Sequence, residues 1–188
     1  MTGETPRVVF DCMIFVQSVL SDTGPSAHLI DLLEAGAFTL FVSRASLDEV
    51  RDVLARPKLR AAKPALTDEL VEAFLVRVSR YSTLIKQPPT VFFYPRDPKD
   101  EKYVNLAVAA KAAYIVSWDT DLLSLMTGHT YECKDFRRRF RPLQVLARLN
   151  FYACLKPPVN YCENSKTIKI RSDCGQCGLE RRGNAACG

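Results

Sequence analysis

The sequence predicts an α/β domain built on a central, mainly parallel sheet flanked by helices, with an irregular C-terminal tail behind it. Two observations carry this. Up to residue 150, short β-branched or aromatic runs alternate with longer stretches whose apolar residues recur at helical spacing. Beyond it the pattern dissolves, and Cys154, Cys162, Cys174, Cys177 and Cys187 crowd into the last 35 residues.

The elements follow in order. Arg7 to Phe10 is the first strand. Pro25 and Ser26 open a helix with Leu29, Ile30, Leu32 and Leu33 on its apolar face, and Gly36 supplies the positive φ that ends it. Phe38 to Val42 is the second strand. Ser43 caps a helix with Leu47, Val50, Val53 and Leu54 inward, which Pro57 terminates. Thr67 caps the next, with Leu70, Val71, Phe74, Leu75 and Val78 at helical spacing, and the two helices are expected to pair as a hairpin.

After the Pro88-Pro89 turn comes the apolar run Val91 to Tyr94, and then Asp97-Pro98-Lys99-Asp100 starts a helix through Leu106, Ala107 and Ala110. Tyr114 to Ser117 is a strand leading into Trp118-Asp119-Thr120-Asp121 and the apolar Leu122, Leu123 and Leu125. A basic strand at Arg138 to Arg141 and a helix from Pro142 to about Leu149 are expected to close the domain, which spans residues 6–150. Residues 151–188, with Pro157-Pro158 and scattered glycines, read as loop or disorder.

Composition sets the outer bounds. With 188 residues, 47% hydrophobic and 25% charged, the chain can bury a core and is not a wholly disordered polymer. No apolar stretch approaches the roughly 20 residues of a membrane helix. The N-terminus is polar, with no signal-peptide pattern, so a cytoplasmic location and no membrane partner are expected. Of the 26 basic and 21 acidic residues, 20 and 18 lie in the first 150, so the body is nearly neutral and the tail mildly basic. That balance does not demand a nucleic-acid partner, although local basic stretches could serve one.

The chemistry lies in four carboxylates. Asp11 follows the first strand and Asp119 follows the Tyr114 to Ser117 strand, at the carboxyl ends where α/β sheets present their crevice. Asp100 sits in the first turn of a helix, and Glu49 lies on the flank of another. Each has an ordinary structural role open to it. An acid at a helix start complements the dipole, Asp119 and Asp121 suit turns, and Glu49 has acidic neighbours on a solvated face. Asp11 is different, because a carboxylate ending a buried strand is costly unless paired or bound to a cation.

Taken jointly, Val8-Val9-Phe10-Asp11, the Ser43 to Leu54 segment with Glu49, the run from Asp97 and Asp100 to Ala107, and Tyr114 to Asp121 resemble the PIN domain family. The likeness covers roughly residues 6 to 150 and is closest to VapC-type toxin ribonucleases. It implies a three-layer α/β fold and a Mg²⁺- or Mn²⁺-dependent ribonuclease. Asp11, Glu49, Asp100 and Asp119 would gather the metal, with Asp121 assisting and Ser117 positioning Asp119 or a substrate phosphate. Such ions take hard oxygen ligands and clamp phosphate oxygens, so no His or Cys nucleophile is required. RNA is the implied substrate, and a protein antitoxin and a homodimer are the implied partners. Where the family commonly has Asp-Thr-Asn, this chain has Asp11-Cys12-Met13 and lacks the Asn amide.

A non-catalytic RNA- or partner-binding module that kept the fold is therefore the alternative class. A haloacid-dehalogenase-like phosphatase wants a second Asp where Met13 stands. His28 and His129 are lone histidines that support no His-based nuclease. Arg51, Arg56, Lys58, Arg60 and Lys63 follow Glu49, and Arg51, Arg56 and Lys58 are the candidate contacts to the RNA backbone, against a plain solvated face. Arg137 to Arg139 with Arg141 form a second basic cluster. Cys174-Gly-Gln-Cys177 has metal-ligand spacing, but Cys154 and Cys162 are too far apart for an ordinary zinc pair, so disorder is the expectation for the tail.

Overall fold

The structure, a computed structural model, describes residues 5–126, 143–147, 150, 151 and 155. The expected strand at Arg138 to Arg141, the Arg137 to Arg139 cluster, His129 and the tail cysteines lie outside the described residues. By its contacts the chain divides into Met1–Lys156 and Pro157–Gly188, and all the described residues lie in the first unit.

Five strands form one sheet: β1 (Arg7–Phe10), β2 (Thr39–Ser43), β3 (Ser82–Ile85), β4 (Tyr114–Ser117) and β5 (Gln144–Ala147), in the order β3-β2-β1-β4-β5. Every pairing is parallel, with Val9 opposite both Phe41 and Ile115. Parallel strands need crossovers, and the helices supply them: α1 (Cys12–Leu20), α2 (Pro25–Glu34), α3 (Arg44–Leu54), α4 (Pro57–Ala62), α5 (Asp68–Tyr81), α6 (Glu101–Ala110) and α7 (Thr120–Ser124). Val8, Val9 and Phe10 are consecutive and all buried, as expected where helices cover both faces of a sheet. The chain runs from β1 outward through β2 to β3, then returns to the other side of β1 for β4. The strand order thus reverses between β1 and β4, where such sheets open a crevice at their carboxyl ends.

Several helix ends follow the capping chemistry of the sequence. Ser43 accepts from the Ser46 backbone N–H at 3.1 Å while Ser46 Oγ accepts from the Ser43 N–H at 2.9 Å, a reciprocal box that starts α3 directly from β2. Thr67 caps α5 through the Leu70 N–H at 3.3 Å. Gly36 has the expected positive φ, 73°.

Other elements depart from the sequence reading. The helix expected from Pro142 to about Leu149 is overturned, because Gln144–Ala147 is a strand that lies parallel to β4 with Ile115 opposite Val145. A short apolar run has no periodicity long enough to separate helix from strand, and the partner strand decides. Helix α1 has no signature in the sequence because Cys12, Ile14, Phe15, Val16, Ser18 and Val19 are all buried, which erases the polar face that marks an amphipathic helix. Edge strand β3 is half exposed and weakly patterned. Pro57 begins α4 at its first turn, where its missing N–H costs nothing. Leu70, expected inward, is exposed.

The core closes on an aromatic cluster. Phe10 packs against Phe15 and Phe38 with ring centroids 5.7 and 5.5 Å apart, and Phe151 meets Phe38 and Tyr114 at 5.5 Å each. Phe151 is fully buried, so the packed body includes the first residue beyond Asn150.

Candidate active site

Asp11 leaves β1 with its backbone N–H still bonded to the Val116 carbonyl on β4, at 3.1 Å. Its side chain then caps α1: Oδ1 accepts from the Ile14 N–H at 3.0 Å. Oδ2 accepts from the Ser117 hydroxyl and, at 3.0 Å, from the Trp118 N–H. The carboxylate is only 3% exposed. Burial pushes its pKa up despite these hydrogen bonds, which pull the other way.

Ser117, fully buried at the end of β4, joins two acids. Its oxygen donates to Asp11 and accepts from the Asp119 N–H at 2.8 Å. Asp119 caps α7 in turn, with Oδ1 accepting from the Asp121 N–H at 2.6 Å.

Glu49 reaches inward from α3. Its Oε2 accepts from the Tyr103 hydroxyl and lies 2.9 Å from Lys102 Nζ, both from the first turn of α6. The Tyr103 oxygen also accepts from the Cys12 N–H at 3.0 Å, so one phenol ties the start of α1 to the carboxylate of α3. Burial and the adjacent Glu49 push the phenol pKa up, so it stays protonated and donating. Burial likewise pushes the Cys12 thiol to about 12, and it is no thiolate at neutral pH.

Asp100 caps α6 by position yet makes no capping hydrogen bond. Its Oδ2 is buried with no hydrogen-bond partner. Burial, with the negative charges of Asp119, Asp97, Asp11 and Glu49 in reach, pushes its pKa up to about 7. The charges of Asp11, Glu49 and Asp119 thus all act on Asp100. Among the described residues, no three acidic, His or Cys side chains are drawn close enough to hold an ion as they stand. The orphaned Asp100 oxygen, the hard-oxygen donor set and the mutual repulsion nevertheless fit a divalent cation.

Asp121 is turned toward Arg96, whose Nη2 lies 2.7 Å from its Oδ1. Of the basic residues singled out in the sequence, Arg51 is engaged with Glu72 at 2.6 Å and Asp48 at 2.9 Å. Arg56 and Lys58 are exposed, and Arg56 is close enough to act electrostatically on Cys12.

Comparison with known proteins decides the family. The PIN domain profile matches residues 7–121, more than half of the chain. This chain belongs to the PIN domain family. It is also 30% identical to the uncharacterized protein MJ1680 of Methanocaldococcus jannaschii over 125 residues, 66% of this chain and 78% of that protein. PIN domains are generally nucleases that act on RNA with divalent metal ions. In this PIN domain the sequence alone does not single out Tyr103 or Lys102 for any role, and it gives Asp97 a place only in the start of α6. Tyr103 and Asp97 each lie three residues from Asp100, and helical periodicity places Tyr103 near its face, a signal available from the sequence.

Proposed function

We propose that this PIN domain is a metal-dependent endoribonuclease in which Asp11, Glu49, Asp100 and Asp119 hold Mg²⁺ or Mn²⁺. The observation that carries the reading is Asp100, a buried carboxylate with an unpartnered oxygen and a pKa lifted by burial and by the other three acids. A bound divalent cation would neutralise phosphate charge and acidify an attacking water. The chain's own residues supply the frame. Ser117 fixes Asp11 relative to Asp119, and Tyr103 fixes Glu49 relative to α1. Lys102 holds a cation beside Glu49, where it offsets part of the site's negative charge as a phosphate approaches. Arg56 and Lys58, outside the acids, are the candidate backbone contacts.

The test is hydrolysis of single-stranded RNA. It should require Mg²⁺ or Mn²⁺, stop with chelator, and disappear in Asp11→Asn and Asp100→Asn. Cleavage undiminished in excess chelator would refute the proposal. The toxin role implied by the likeness to VapC-type ribonucleases has its own test: induced expression should arrest growth, and Asp100→Asn should relieve the arrest.

A second reading, an RNA-binding module without catalysis, is favoured by the unclustered carboxylates and by the Asp11-Cys12-Met13 turn, where a thiol and a thioether replace polar groups. RNA binding without hydrolysis under either metal would select it.

A further inference from the structure

We propose that the indole of Trp118 is a stacking platform for a base of single-stranded RNA beside the acidic site. The inference rests on the nuclease reading above and names a substrate contact for it. Trp118 is the only tryptophan of the chain. Its backbone belongs to the site, because its N–H donates to Asp11 Oδ2 at 3.0 Å and it stands between Ser117 and Asp119. Ser117 is fully buried, yet Trp118 is 48% exposed. An indole is among the most apolar side chains and is mostly covered in folded proteins, so one half exposed at the mouth of a polar site offers apolar surface to a flat partner. Met13, in the first turn of α1 two residues beyond Asp11, is also an exposed apolar side chain, 38% open.

The charges nearby point to the same kind of contact. Lys102 is engaged by Glu49 and Arg96 by Asp121, at 2.9 and 2.7 Å. Lys102 and Arg96 are thus largely neutralised within the protein, while the acids themselves repel a polyanion. A neutral contact with a base face adds affinity there without meeting that repulsion. Single strands offer exposed faces, whereas bases inside a duplex are already stacked on their neighbours.

The sole tryptophan makes the contact directly readable. A short single-stranded RNA added to the full chain in chelator, where no cleavage proceeds, should quench Trp118 fluorescence saturably, and the same sequence as a duplex should quench far less. With labelled RNA, Trp118→Ala should bind about 5- to 100-fold more weakly, with Trp118→Phe close to the parent. The slope of affinity against log salt should not change, since no phosphate contact is lost. Binding without quenching, equal quenching by duplex, or unaltered affinity in Trp118→Ala would overturn the platform. Cleavage with Mn²⁺ is scored separately. Metal-dependent cleavage with unaltered Trp118→Ala binding removes the platform and leaves the nuclease. Quenching and weakened Trp118→Ala binding without any cleavage keep the platform and remove the nuclease. Neither binding nor cleavage removes both.

Discussion

Ser117 and Asp11 are 106 residues apart in the chain, and the hydroxyl of one is hydrogen-bonded to the carboxylate of the other at the carboxyl edge of adjacent parallel strands. The same hydroxyl accepts the Asp119 N–H, so two acids depend on one oxygen. Ser117→Ala would leave a buried carboxylate with one donor fewer and an amide unpaired. It should cost about 1–3 kcal/mol in denaturant unfolding and lower RNA cleavage at unchanged protein fold. A variant as stable and as active as the parent would remove Ser117 from the site's frame.

Asp100 gives the protein a pH dependence of defined sign. Its pKa is about 7 folded against 3.8 as a free side chain, so between those values the folded state holds the proton more tightly. Without metal, stability from this group is fully present below about pH 4 and is lost as pH rises through 7, each tenfold difference in proton affinity being worth about 1.4 kcal/mol. Asp100→Asn should flatten this decline and melt no lower than the parent at neutral pH. Divalent metal at ten times its dissociation constant should stabilise the parent by roughly 1.4 kcal/mol, and the variant by less. Melting curves across pH, with and without Mn²⁺, read both effects.

Tyr103→Phe keeps the ring and removes the hydroxyl that binds Glu49 and the Cys12 N–H. A loss of about 1–2 kcal/mol is expected from the unpaired groups, with weaker metal binding because Glu49 is no longer oriented. Calorimetric titration with Mn²⁺ checks it. Metal affinity equal to the parent's would make Tyr103 purely structural.

The basic residues should separate. Arg51 is held by Glu72 and Asp48 on the surface, so Arg51→Ala should change stability by less than about 1 kcal/mol. Exposed Arg56 and Lys58 are the ones expected to meet phosphate. Removing either should weaken RNA binding across sequences and flatten the log-salt slope by about 0.7 per lost contact. Equal slopes in all three variants would assign the stretch to a solvated face.

Phe151 is expected to anchor the end of the body. Phe151→Ala should cost about 3–5 kcal/mol, since the ring is fully buried among Phe10, Phe38 and Tyr114. A chain ending at Asn150 should be destabilised alike, whereas one ending at Lys156 should unfold at the parent's denaturant midpoint.

Much of this is written locally. Ser43, Thr67 and Gly36 are residues whose own chemistry starts or stops a helix, and Val8 to Phe10 is apolar enough to be a central strand on any reading. The strand-end positions of Asp11 and Asp119 follow from those elements, and the joint pattern of acids carries the family. What the sequence could not decide depends on partners distant in the chain. Gln144–Ala147 is a strand because β4 offers it a parallel edge, and α1 is hidden because a helix with most of its residues buried presents no broad polar face. The engagement of Arg51 by Glu72, the bridging phenol of Tyr103, and the choice of Asp100 as the acid with an unpartnered buried oxygen are likewise tertiary. Hydrogen bonding and burial act over a few ångströms in space, and only the folded sheet lets Ser117 bond Asp11, Tyr103 bond Glu49, and the charges of Asp11, Glu49 and Asp119 act on Asp100.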